Sequence, residues 1–106
     1  MVLRFAFVFM APGADPKKDR ALIKIGNVEN ISVGINIGDF EEAARVCKNL
    51  VEKEGVQGIV LCPGFTNTGV AKVAETVGSR AAVGVARMDN EGMQIMGKIL
   101  KEEGFI

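Results

Sequence analysis

Gly58-Ile59-Val60-Leu61-Cys62-Pro63-Gly64-Phe65-Thr66-Asn67-Thr68-Gly69-Val70-Ala71-Lys72-Val73-Ala74 is the stretch that decides the fold class. A short apolar run stopped by Pro63-Gly64 has the pattern of a buried strand. Val70, Val73, Ala74 and Val77 then recur at the three-and-four spacing of one helix face, with Gly78 placed to close the helix. A helix that follows a strand so directly is a crossover, and a crossover needs a second, parallel strand to return to. Ala81 to Ala86 supplies that strand. Beyond it, Asp89-Asn90 can cap a further helix carrying Met93, Met96, Ile99 and Leu100, which Gly104 ends.

The same grammar holds upstream. Phe40, Ala43, Ala44, Cys47, Leu50 and Val51 share one helical face, Asp39 can cap the first turn with Glu42 three residues on, and Gly55 can end the helix. Residues 3 to 10 form an almost wholly apolar run, rich in Phe and Val and stopped by Pro12-Gly13, which predicts a central strand covered on both faces. Arg20 to Ile25 and Val28 to Ile37 flank Gly26-Asn27 and predict an antiparallel hairpin, with a short helix opened by Asp15-Pro16 as the alternative. The expected architecture is α/β: a single small domain over residues 1–106, a mostly parallel sheet of four to five strands, about three flanking helices and one antiparallel hairpin. Three helices do not easily cover both faces of such a sheet. An apolar surplus is expected, and with it a homo-oligomer.

Composition narrows the function classes. Thirteen basic residues balance 13 acidic ones, with no run of like charges, so neither nucleic acid nor an anionic membrane surface is an expected partner. The absence of histidine excludes Ser-His-Asp and Cys-His triads and imidazole-bound zinc, and no metal site is expected. Cys47 and Cys62 lie in apolar segments without Cys-x-x-Cys spacing, which suits a reduced, cytoplasmic chain. Arg4 before Phe5–Ala11 resembles the start of a signal sequence, but no small-x-small cleavage site follows. No stretch reaches the roughly 18 apolar residues of a membrane span.

Chemistry in an open parallel sheet belongs at the carboxyl ends of the strands, where helix N-termini present free N–H groups. The segments expected there contribute Gly13 and Asp15, then Asp39, then Gly64, Thr66, Asn67, Thr68 and Gly69, and finally Arg87 and Asp89. Gly64 and Gly69 have the glycine spacing of a phosphate-binding P-loop, yet Val70-Ala71 stands where Lys-Ser/Thr is needed. There is also no G-x-G-x-x-G, so no nucleotide cofactor is expected. Thr66 to Gly69 can still seat a phosphate or carboxylate at a helix end, or simply cap the helix. Arg87 can clamp the same anion or pair with Asp89 or Asp39. Cys62, just before a helix start, is the one candidate catalytic nucleophile, against burial as a plain core thiol. Asp15, Asp39 and Asp89 either converge as acid and base or serve locally as caps and turn residues. The acidic and basic residues of the 40–54 helix alternate as an ordinary solvated face.

Ala6-Phe7-Val8-Phe9-Met10-Ala11-Pro12-Gly13-Ala14-Asp15-Pro16, Gly58 to Phe65 and Gly69 to Ala74 resemble a family of roughly hundred-residue prokaryotic α/β proteins of unknown function. The resemblance covers most of the chain and points to the same post-strand loops; it carries no activity. The expectations that remain are a small anionic or polar metabolite bound at the rim, an assembly module without a small-molecule site, or a thiol enzyme using Cys62.

Overall fold

A computed structural model describes residues 1–106. The elements, in order, are β1 (Leu3–Ala11), β2 (Arg20–Ile25), β3 (Val28–Asn36), α1 (Phe40–Glu54), β4 (Gly58–Leu61), α2 (Asn67–Val77), β5 (Ala82–Val85) and α3 (Asn90–Glu102), with one 3-10 turn over Gly78–Arg80. The five strands form one sheet in the order β2-β3-β1-β4-β5. Only the β2–β3 pair is antiparallel. The expected hairpin is therefore present. Its two-residue turn has positive φ at Gly26 and not at Asn27, the pattern of a type II′ turn, whose twist matches that of paired strands.

Connection handedness fixes where the helices go. The chain passes from β3 over β1 to β4 through α1, then from β4 to β5 through α2. Both steps run the same way across the sheet, so two right-handed crossovers put both helices on the same face, where α1 packs on α2 and α2 along β5. The core lies between that face and the helices. Ala6 and Val8 of β1, Ile31, Val33 and Ile35 of β3, and Ile59 and Leu61 of β4 meet Cys47 and Leu50 of α1 and Val73 and Val77 of α2. Asp39 caps α1 by accepting from the Glu42 N–H at 3.0 Å, and Gly55 closes it in the left-handed region, as its sequence predicts.

The opposite face departs from expectation. Residues 3 to 10 read as a strand covered on both sides, but no helix reaches the side that carries Phe5, Phe7 and Phe9, and Phe5 is 41% exposed. The reason is topological. No crossover reverses direction, so α3, the last helix, is the only one left for that face, and it packs closely on no other element and has no buried residue.

One close approach ties α2 to α1. The Phe40 ring lies against Gly69 so tightly that a Cβ there would come within 2.6 Å of a ring carbon. Phe40 in turn packs on Phe65, ring centroids 5.7 Å apart. Gly69→Ala gains helix propensity but overpacks this contact, and we expect a net loss of about 1–2 kcal/mol. At about 4–8 °C per kcal/mol for a domain this size, calorimetry will show it as a lowered Tm; an unchanged or raised Tm would show that Phe40 swings aside freely.

Candidate functional site

Four strand ends make up the rim. Phe65, in the loop that follows β4, is 1% exposed, the largest side chain fully inside the core. By burying it, the loop from Cys62 to Thr66 is nailed to the α1–α2 interface. At the next residue, Thr66 caps α2, its Oγ1 accepting from the Gly69 N–H at 3.0 Å.

Arg87, just past β5, reaches back across this loop. Its guanidinium donates to the Pro63 carbonyl at 2.9 Å and approaches Asn67 Oδ1, on the first residue of α2, at 3.4 Å. The expected alternatives, Asp89 and Asp39, are not its partners. The other four arginines each face a carboxylate: Arg4 meets Glu29, Arg20 meets Glu54, Arg45 meets Glu42 and Arg80 meets Glu52. Arg87 alone is held by neutral oxygens. Its helix neighbour is equally uncompensated. The α1 and α3 N-termini have aspartate caps and acidic first turns, Asp39 with Glu41 and Glu42, and Asp89 with Glu91. By contrast α2 has a neutral Thr66 cap and no acid in its first turn. A helix N-terminus carries roughly half a positive charge, so the guanidinium and the helix end make one positive spot with no acidic residue bonded into it.

The remaining rim candidates are spread out. Thr68 and Gly69 line an open groove of about 350 Å³ on the other flank of α2, shared with Gly38, Asp39 and Lys72, where Lys72 is ion-paired with Glu41. Gly13 donates to Asn36 Oδ1 at 2.9 Å, which ties it to the β3 end, two strands or about 10 Å from β4 in the β5 direction's opposite sense. Asp15 accepts from the Lys17 N–H at 2.9 Å and Asp89 from the Gly92 N–H at 2.7 Å, so the three aspartates each serve a neighbouring backbone N–H. No group of three or more acidic or thiol side chains is arranged to hold a metal ion.

A second groove, of about 330 Å³, lies between the start of β2 and α1 and was not singled out from the sequence, because its charges come from segments 25 residues apart. Arg20 and Arg45 are both committed to carboxylates there, Glu54 and Glu42.

The two thiols differ sharply. Cys47 is fully buried, and desolvation pushes its thiol up to about 12 from an ordinary 9.0. Since the folded value is the raised one, the stability carried by this neutral thiol is intact below about pH 9 and is lost as pH rises toward 12. Cys62 is half-buried, with Sγ accepting from the Met10 N–H at 3.3 Å and no acid or base bonded to it. Alkylation of the native protein near neutral pH is expected to label Cys62 alone, with Cys47 reacting only after denaturation. A Cys62 rate well above that of an unfolded cysteine would mark an activated thiolate; a slower one leaves it a structural thiol.

No helix is long and apolar enough to cross a membrane. Neither the curated proteins nor the solved structures include a match to this chain. A family model does match, over residues 3–101, nearly the whole length and all eight elements described above but for the last residue of α3. The chain belongs to the family of unknown function DUF6506.

Proposed function

We propose that this chain binds a small anionic metabolite, one bearing a phosphate or carboxylate, at the rim between Arg87 and the N-terminus of α2. The observation that carries the reading is that Arg87, unlike the four other arginines, has no carboxylate partner, and stands beside the one helix start that lacks an acidic cap. Two of its five N–H donors are used on Pro63 and Asn67, which fixes the plane of the guanidinium and leaves others to receive an oxyanion bidentately. The free N–H groups of the first α2 turn point the same way.

The reading assigns recognition and no bond-making step. Asp15, Asp39 and Asp89 are engaged with backbone N–H groups, and Cys62 has no proton donor or acceptor among the side chains bonded to it. Because the spot is exposed, affinity should weaken as salt screens it over a Debye length of about 8 Å at physiological ionic strength.

A thermal-shift panel of inorganic phosphate, phosphate monoesters and di- and tricarboxylic acids tests the reading. A ligand at 100 times its dissociation constant adds about 2.7 kcal/mol, and each kcal/mol moves Tm by about 4–8 °C. At least one class of anion should raise the Tm of the wild type and leave Arg87→Met unmoved, with Arg87→Lys intermediate because an ammonium keeps the charge without the bidentate fork. A panel that shifts nothing, or shifts the Met variant equally, removes this site.

A further inference from the structure

The sheet face opposite α1 and α2 and the apolar stripe of α3 are two surfaces of the same character, and each lacks a partner within the chain. We infer that two copies of the chain associate by laying the α3 of each across the bare sheet face of the other. This goes beyond the anion reading and uses none of its residues.

The bare face has no charged residue. Strand register places Leu3, Phe5, Phe7 and Phe9 of β1 beside Val28, Asn30, Ser32 and Gly34 of β3, with Ile23 and Ile25 of β2 and Val60 of β4 on the same side. All the charged strand residues, Arg4, Arg20, Lys24 and Glu29, fall on the helix side. A solvent-facing sheet surface ordinarily alternates apolar-in with polar-out, so a charge-free outer face over five strands has the composition of an interface. It is also level. The Phe9 ring and the Ala14 methyl cover Gly34, which is buried at that end of the face, and the Phe5 ring lies over Gly58, each within 3.1–3.4 Å of where a Cβ would be. On β5, where the chain's own α3 would have to land, Gly84 has open space above it.

The helix matches. At 100° per residue, Ile95, Ile99, Met96, Leu100 and Met93 fall within an arc of about 160°, a stripe wide enough to bury. Ile95 is nonetheless 66% exposed, and Met93 and Ile99 are each 46% exposed. Its 13 residues span about 20 Å, close to the roughly 19 Å between the outer strands of a five-stranded sheet.

The surface area is enough for an interface between two copies. The chain exposes 6718 Å², against about 5,700 Å² expected for a folded monomer of 11.3 kDa. The excess, about 1,000 Å², is close to the roughly 800 Å² that each partner gives to a stable interface. An exchange of α3 for sheet is self-complementary under a two-fold axis, so one set of residues covers both exposed surfaces of both chains and leaves no open end.

Sedimentation velocity and light scattering on the full chain at tens of micromolar give the first reading: twice the 11.3 kDa chain mass is expected, and a single-chain mass overturns the inference. Phe5→Lys on the bare face and Ile95→Glu on α3 should each give a single-chain mass. Val60→Lys repeats the first test at a second exposed position in case Phe5 matters to folding. The mixture is decisive. In a heterodimer of Phe5→Lys with Ile95→Glu, one of the two reciprocal contacts is wild type on both sides, so mixing should restore the double mass. If the sheet variants dissociate and Ile95→Glu does not, or if mixing restores nothing, α3 is not the occupant. Arg87→Met should keep the double mass, and Phe5→Lys should keep any anion-induced thermal shift, so the two proposals fail separately.

Discussion

Both parallel crossovers step across the sheet in the same direction, and most of this molecule follows from that one constraint. Right-handed connections that never turn back place α1 and α2 on a single face. The core is therefore one-sided, with Val8, Val33, Ile35 and Leu61 at its floor and Cys47, Leu50, Val73 and Val77 as its roof. The second face receives nothing from the crossovers, and the last helix leaves the sheet edge with its apolar stripe exposed.

The alternation of strands and helices was legible because it rests on local chemistry. Asp39 and Asp89 cap where their spacing from Glu42 and the Met93 stripe places them, and Gly55 and Gly78 close helices with positive φ. Gly26-Asn27 announces a hairpin for the same reason. What sequence did not reveal is which neighbour a residue finds. Phe5-Ala6-Phe7-Val8-Phe9 reads as buried on both sides, since Phe and Val serve equally in a core and in an uncovered face, and periodicity cannot separate the two when both sets are apolar. Arg87 left three partners open, and the structure selects none of the acids. Phe65 does take the core place ordinary for an apolar ring, because the Cys62 to Thr66 turn aims it between Phe40 and the sheet.

Electrostatically the domain is almost self-contained. Ion pairs tie α1 to its surroundings on several sides: Glu54 to Arg20 of β2, Glu41 to Lys72 of α2, and Glu52 to Arg80 of the 3-10 turn. The Arg80 hydrogen bond, more than any other influence, draws the Glu52 carboxyl below its ordinary range. Each of these exposed pairs is worth little alone. Their value is as a background: against a surface on which arginines are matched with acids, an unmatched one beside a positive helix end that has only a neutral cap is an imbalance in the local field.

The deep seating of Phe65 also sets how the rim loop moves. A surface turn normally frays on its own, opening far more often than the whole domain unfolds. Here, lifting Gly64 or Thr66 away from α2 means withdrawing a phenyl ring from between Phe40 and the strands, so the Phe65 N–H, bonded to the Cys62 carbonyl at 3.1 Å, should exchange with solvent far more slowly than the amides of an ordinary surface turn. Any molecule that docks there meets a surface already in its final shape, so it gives up little entropy to ordering the protein.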